Sequence, residues 1–456
     1  MNDIYKIKYK KYKQKYILLK QLKQEGGDIK YIGEGASGCL FCPPINPIDL
    51  QQYEFSETYY SIPDFLFEKY NSCHYVGKIL AINRQGFVFD SYENELKQII
   101  KIKDLDPKGD YTPQLIYANV FTTENLLESI KTNESLYNCA QDKIKIKNFG
   151  YIISKHTGVS LEFKYEKLNL LITDFRELKK FLIKFNELLQ FIKILYDNNY
   201  LHLDIKLDNI TVKKEEDDKL YLIDFGRIKK IDENSIYSII KTYLSGEHEM
   251  YSFEPKIYFN LYQIYALNSK YFNDIINDVN KNFDKLIEPY IFPKDNFLHL
   301  ILIKVFQTDF EKEKAKNEEE EKQLFYSIKT KLGFNCKDKN KCIDIDHYIK
   351  YRQKEYFINY LKNRKDELLK DNYRKFAYGC PGNTILNHLF YPIIKKYDMY
   401  CMGVVLAEIV LFYHDFDKCN EIFKEKFIEL IKKLLFNNIN DVDDFITEIN
   451  KLILLI

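Results

Sequence analysis

Tyr5, Tyr9, Tyr12, Tyr16 and Leu19 recur at alternating spacings of four and three, and lysines fill most of the other faces. That rhythm predicts one helix over residues 1–25, ended by Gly26 and Gly27. From Asp28 the period shortens. "IKYIGEG", "CLFCPP" and "YVGKILAI" read as strands, with a long Pro- and Tyr-containing connection between the second and third. "DSYENELKQIIKI" returns to helical spacing, and its apolar positions Leu96, Ile99 and Ile102 are expected to face inward. The apolar run "FGYIIS" follows a mixed region. A long helical pattern then runs from Asp174 to Asn199 and delivers the chain into "YLHLDIKLDNITV" and, further on, "LYLIDFG". From Lys256 to about Lys395 the chain is rich in Lys, Glu and Tyr, and its run "EKEKAKNEEEEK" reads as a solvated helix face. Helices are expected from Tyr397 to Ile456. No internal repeat is visible.

Length changes this picture first. At 456 residues the chain exceeds the size at which one hydrophobic core stops growing, so two lobes or domains are expected. A composition 46% hydrophobic and 30% charged, with a net charge of +1, describes a soluble globular protein rather than a nucleic-acid wrapper or a disordered tail. The basic side is almost all lysine, with arginine only at 84, 176, 227, 352, 364 and 374, the signature of an AT-rich genome. Nine cysteines lie scattered through a chain that starts without an apolar leader, so free thiols in a reducing compartment, not a disulfide framework, are the expectation. The longest apolar run, "MYCMGVVLAEIVLFY", is interrupted by Glu408 and is too short to span a bilayer. No transmembrane segment is expected.

Candidate chemistry begins with "GEGASGCL". Gly33, Gly35 and Gly38 let a turn bring backbone N–H groups close to a phosphate. A dinucleotide-binding turn would lead straight into a helix, but this sequence continues as an apolar strand ended by two prolines, which suits a hairpin over phosphates. Lys78, flanked by strand formers, would project beneath that hairpin. Taken alone it reads as an exposed lysine, but Glu95, seventeen residues on in a helix, could pair with it and hold the ammonium against phosphate oxygens. Phosphoryl transfer also needs a carboxylate to orient a hydroxyl, a cation near the migrating group and oxygen ligands for magnesium. Asp204, Lys206 and Asn209 offer these within one short loop, and Asp224 in "LIDFG" adds a second metal-ligating carboxylate.

In this order the motifs resemble the signature set of eukaryotic-type protein kinases. Ile32 to Leu40 look like the glycine-rich loop, Val76-Gly77-Lys78 like the strand lysine motif, and Glu95 like the glutamate of the family's αC helix. His202 to Asn209 is similar to the catalytic loop and Asp224-Phe225-Gly226 to the metal-binding motif. "YDMYCMGVVLAE" is similar to the helix whose aspartate, here Asp398, braces that loop, with Gly403 on the same helix. The resemblance covers roughly residues 28–255 and 396–456. It implies an α+β, bilobal protein-kinase-like fold with a small β-rich N-lobe over 28–158 and a mainly helical C-lobe over 159–255 and 396–456. It implies ATP and Mg²⁺ as cofactors, with Ile32, Gly33, Gly35, Gly38, Leu40, Val76, Lys78 and Glu95 on the nucleotide, Asn209 and Asp224 on the metal, and Asp204 and Lys206 catalytic. Lys206, two places after the base, resembles Ser/Thr kinases rather than tyrosine or small-molecule kinases, so protein substrates are implied and nucleic acid is not required.

Departures remain. The motif that usually closes the activation segment survives only as Glu254-Pro255, and no arginine follows Arg374 to pair with that glutamate. Residues 256–395 form an insertion, expected to be a helical appendage peripheral to the transfer site that offers a surface to a partner the residues do not identify. Leu203 stands where activation-loop-regulated kinases carry an arginine, so phosphate on Ser235, Ser238, Thr242 or Ser245 is not expected to be needed. The basic Tyr/Lys arm over 1–27 looks like a segment recurring in proteins of giant DNA viruses, and "GASGCLFCPP…YVGKI" is similar to their predicted kinases. Host cytoplasm or virion is the implied location. A pseudokinase would normally have lost one of Lys78, Asp204, Asn209 or Asp224, and a small-molecule kinase sits poorly with Lys206. Zinc at Cys39, Cys42, Cys73 and His74 is disfavoured because strand residues three apart point to opposite faces, and Cys336, Cys342 and His347 have no better claim.

Overall fold

Residues alternating between two buried faces build the first sheet. The structure, a computed structural model, describes residues 30–34, 38–45, 73–81, 91–122, 126–127, 130–131, 133–143, 148–161, 174–241, 254–265, 272–287, 302, 305–306, 309, 345–377, 382–412, 416–436 and 438–456. The N-terminal helix expected over 1–25 and the run "EKEKAKNEEEEK" lie outside them. The described residues form two compact units, one within Met1–Glu166 and Leu207–Ile228, the other within Lys167–Lys206 and Lys229–Ile456. Helices and sheets both contribute, a mixed content compatible with the α+β class. No helix among the described residues is long and apolar enough to cross a membrane.

In the first unit, β1 (Lys30–Glu34), β2 (Gly38–Cys42), β3 (Tyr75–Ala81), β4 (Leu115–Thr122) and β5 (Asn148–Lys155) form an antiparallel sheet in the order β1-β2-β3-β5-β4. Its two faces bury separate cores. Cys39, Phe41, Ile79, Phe121, Phe149 and Tyr151 lie on one face, with α2 (Glu134–Lys143) contributing Leu136 and Ala140. Leu80, Ala118 and Ile152 lie on the other, covered by Tyr92 and Leu96 of α1 (Ser91–Leu105). α1 comes so close to the sheet that a Cβ added at Gly150 would sit 2.1 Å from the Tyr92 ring. Only glycine fits there.

A second, smaller sheet joins β6 (Val159–Ser160), β8 (Ile210–Lys213) and β9 (Lys219–Leu222). It explains why the 207–228 stretch falls in this unit: β8 pairs with β6, and Leu222 donates its N–H to the Tyr111 carbonyl at 2.9 Å. That carbonyl lies in a loop fixed by the Asp106 carboxylate, which accepts from the backbone of Asp110 and Tyr111 and from the Thr112 hydroxyl.

The expectation of free thiols is corrected here. Cys39 is bonded to Cys139 of α2 (Cα–Cα 6.1 Å), and Cys42 to Cys73 (Cα–Cα 5.2 Å). Strand alternation sends the two β2 cysteines to different partners. The partners come from distant chain, 100 and 31 positions away, which no local pattern announces. Among the described residues Cys401 and Cys419 are buried and take part in neither disulfide.

The second unit is helical. α3 (Phe175–Asp197) is capped by Asp174, whose carboxylate accepts from the N–H groups of Arg176 and Glu177. Its buried stripe Leu178, Leu182, Phe185, Leu189 and Ile192 has helical spacing. After it come the short strands β7 (Tyr200–Leu201) and β10 (Lys229–Lys230), the single turn α4 (Ile236–Ile239), α5 (Glu254–Tyr265), α6 (Phe272–Ile287), α7 (Ile345–Ala377) and α8 (Gly382–Lys395). The last three helices are α9 (Tyr397–Phe412), α10 (Glu421–Leu435) and α11 (Val442–Leu455). α9 is buried on every face over Tyr397–Ile409, as a central helix must be, with Asp398 and Glu408 as its buried carboxylates. A Cβ on its Gly403 would lie 2.5 Å from the Leu434 Cβ of α10, so glycine sets that helix–helix approach.

Candidate active site

The residues singled out in the sequence divide between the two units. Ile32, Gly33, Gly38, Leu40, Val76, Lys78, Glu95, Asn209 and Asp224 lie in the first, and Asp204 and Lys206 in the second. Gly35 lies outside the described residues.

In the first unit the glycine-bearing hairpin is β1–β2, with Gly33 opposite Leu40 and Gly38 opposite Leu80 of β3. Leu40 in turn pairs with Lys78, and Lys78 with Ile152. Period-two alternation puts Lys78 on the face that α1 covers. There its Nζ lies 2.6 Å from Glu95 Oε1, with only 17% and 10% of the two side chains exposed. Burial pulls the ammonium toward neutrality, but the Glu95 and Asp224 carboxylates outweigh it and raise the lysine above its ordinary value. Lys78 is therefore a fixed cation with two acidic neighbours.

Asp224 follows the end of β9 in the left-handed region, φ 63 and ψ 69, as N-cap of the short turn Phe225–Arg227. An aspartate tolerates this conformation better than a bulky residue would. Across the β8–β9 hairpin, Ile223 donates its N–H to the Asn209 carbonyl at 2.9 Å, so Asn209 and Asp224 stand at one end of the same ladder. Their side chains carry the oxygen donors that a hard cation takes. One residue here escaped the sequence reading: Asn94, just before Glu95 on α1, donates from Nδ2 to the Gly226 carbonyl at 3.2 Å, and Gln98 donates in turn to its Oδ1. Helical spacing of Asn94 and Gln98 ahead of the buried stripe is the one local sign of it.

In the second unit β7 leads directly into His202-Leu203-Asp204. Asp398, 3% exposed in the first turn of α9, accepts the N–H of His202 through Oδ2 at 2.6 Å and that of Leu203 through Oδ1 at 3.1 Å. Burial pushes its pKa up to about 6, against the pull of these two donors. The double acceptor fixes Leu203 at φ 65, fully buried. Lys206 Nζ lies 3.5 Å from Asp204 Oδ2. Of the four sites weighed for phosphate, Ser235 and Ser238 are described. Ser235 exchanges hydrogen bonds with Asp232, while Thr242 and Ser245 lie outside the described residues.

A carboxylate beside an ammonium on a braced loop, and a paired lysine near a second carboxylate, are the parts that phosphoryl transfer uses. Comparison with known proteins points the same way: the chain is distantly similar to viral proteins named as kinases. It is 23% identical over 173 residues to B1 kinase of vaccinia virus (strain Ankara), covering 35% of this chain and 53% of that protein. Over 199 residues it is 26% identical to a fowlpox virus protein named probable serine/threonine-protein kinase FPV212, covering 40% of this chain and 57% of the relative. The chain thus spans about half the length of the curated relatives it matches. No protein-family model matches it.

Proposed function

We propose that the chain is an ATP-dependent protein kinase of bilobal kinase fold, transferring the γ-phosphoryl group to serine or threonine hydroxyls of protein substrates. The observation that carries this reading is the buried Lys78–Glu95 pair with Asp224 acting on the same ammonium. A lysine so fixed suits α- and β-phosphate oxygens, on the strand next to the hairpin that carries Gly33 and Gly38, with Ile32, Leu40 and Val76 as further nucleotide contacts. Asn209 and Asp224 would hold Mg²⁺, which supplies positive charge to the phosphate oxygens when bound.

Asp204 orients the acceptor hydroxyl and takes its proton. As the hydroxyl oxygen bonds to the γ-phosphorus, the bond from that phosphorus to the bridging oxygen breaks and ADP leaves. Lys206 offers a cation for the migrating group and prefers a protein Ser/Thr acceptor over a small alcohol. The distant viral relatives favour action as a viral protein, in host cytoplasm or in the virion, with the 1–27 arm serving localisation. The direct test is radiolabel transfer from ATP to a generic basic protein, to the chain itself and to an aminoglycoside. Protein labelling that depends on Mg²⁺ is expected, and Asp204→Asn should reduce it by about a thousandfold while nucleotide binding persists. Labelling of the aminoglycoside alone, or full activity in Asp204→Asn, would sink the assignment.

A further inference from the structure

Leu203 removes the cation through which a phosphorylated segment would be ordered, yet the residues from Lys229 onward are folded within the second unit. β10 pairs with β7, Lys229 opposite Leu201 and Lys230 opposite Tyr200, and Ile231 donates to the Asn199 carbonyl at 2.7 Å to close the ribbon. Two residues per strand are too few to hold by themselves. Helices α5 and α8 supply contacts to its flanks.

One face of α8 grips both ends of the ribbon. His388 Nδ1 lies 2.9 Å from Glu233 Oε2, just after β10, and the Tyr391 hydroxyl is 3.4 Å from Asn199 Oδ1, just before β7. Positions 388 and 391 are neighbours on a helix surface. A second contact comes from α5, whose Tyr262 stacks on Tyr237 of α4 with centroids 3.9 Å apart and planes 18° from parallel. α8 is itself fixed: Tyr258 of α5 donates to Asn387 Oδ1 at 2.6 Å, and Tyr360 of α7 donates to the Leu389 carbonyl at 2.8 Å.

We propose that α8 is a built-in clamp on the ribbon that delivers the catalytic loop, with His388 and Tyr391 as positioning residues that order this segment without phosphate. The inference rests on the reading of Asp204 as the base. It gives part of the insertion a place in the transfer machinery, where the sequence suggested a peripheral appendage. The clamp acts through Glu233 and Asn199 on β10 and β7, and so on the geometry of Asp204; it does not touch ATP. Its loss therefore changes kcat and leaves KM for ATP alone.

The test uses the full chain and four variants: His388→Leu, His388→Lys, Glu233→Gln and the Leu/Gln double mutant, with Asp204→Asn alongside. His388→Leu should lower kcat about fivefold, near the upper end for a contact whose carboxylate side chain is 41% exposed. KM for ATP should stay within about twofold, well inside the scatter of such pairs. His388→Lys, which keeps a donor for Glu233, should restore most of kcat. The double mutant should be no worse than either single, and phosphatase treatment should leave the wild type's rate unchanged. If His388→Leu melts early, Glu233→Gln carries the same expectation from a half-exposed position. Unchanged kcat in both singles, additive losses, or Lys as poor as Leu would overturn the clamp. Transfer surviving in Asp204→Asn would instead overturn the reading on which it rests.

Discussion

Lys78 in the first unit and Asp398 in the second are both buried charges, and they are stabilised by opposite means. Lys78 meets a carboxylate side chain at 2.6 Å and feels a second one, so its charge is strengthened. Asp398 meets two backbone N–H groups, and burial still pushes its pKa up to about 6. The side-chain pair leaves an ammonium whose charge is secure and whose position is set by a helix. The backbone pair spends the carboxylate on shape: it holds two successive peptide units and with them the left-handed Leu203. One device keeps a charge in place, and the other sets the path of the loop that carries Asp204.

The sharpest way to break this comparison is at its charged end. Lys78→Met is expected to lower transfer by roughly a thousandfold, the upper range for one preorganised charge contact at a transition state. Glu95→Gln should give a similar loss, and the double mutant little more; additive losses would mean that the two do not act as a pair. Asp224→Ala should weaken Mg-nucleotide binding about a hundredfold, a loss of several kcal/mol of charge stabilisation, with metal-free binding intact. A calorimetric titration with unchanged Mg-ATP affinity would remove Asp224 from the metal site. Gly150→Ala tests whether the pair depends on the tight approach of α1. The clash with Tyr92 should cost about 2 kcal/mol by urea midpoint and shift α1, and an unaltered midpoint would show that the helix adjusts freely.

The smallest effect sharpens the other side. The folded Asp398 carboxyl keeps its proton up to about pH 6, above its ordinary 3.8, so it favours the folded state at low pH and loses that advantage as pH rises through 6. Between pH 5 and 7 this amounts to about 1 kcal/mol of lost stability. Asp398→Asn should remove that decline, seen as a flatter dependence of the urea midpoint on pH. An identical slope in both proteins would place the titration elsewhere.

Lys78 and Glu95 were legible because each obeys a local period: alternation fixes the face of β3, and the spacing of Leu96, Ile99 and Ile102 fixes the face of α1. Asn209 and Asp224 stood out as residue types in a familiar order, while their placement at one end of a single hairpin came only with the β8–β9 register. The same strand rule separated Cys39 from Cys42 but could not supply their partners, since contact over 100 positions leaves no trace in a window of ten. The row His388, Tyr391 on α8 was invisible for a related reason. A histidine and a tyrosine in a lysine-rich insertion look like any solvated face until Glu233 and Asn199 are known to lie beside them.

Cys39 and Cys42, on one short strand, tie β2 to chain lying 100 and 31 positions further on, so two rings of backbone are closed, the smaller inside the larger. A protease nick anywhere between residues 43 and 72 would leave β2 covalently attached to the strand beside it. Insertions or deletions in the same stretch would change the circumference of both rings, since residues 43–72 lie on each, and would leave the two cross-links themselves in place.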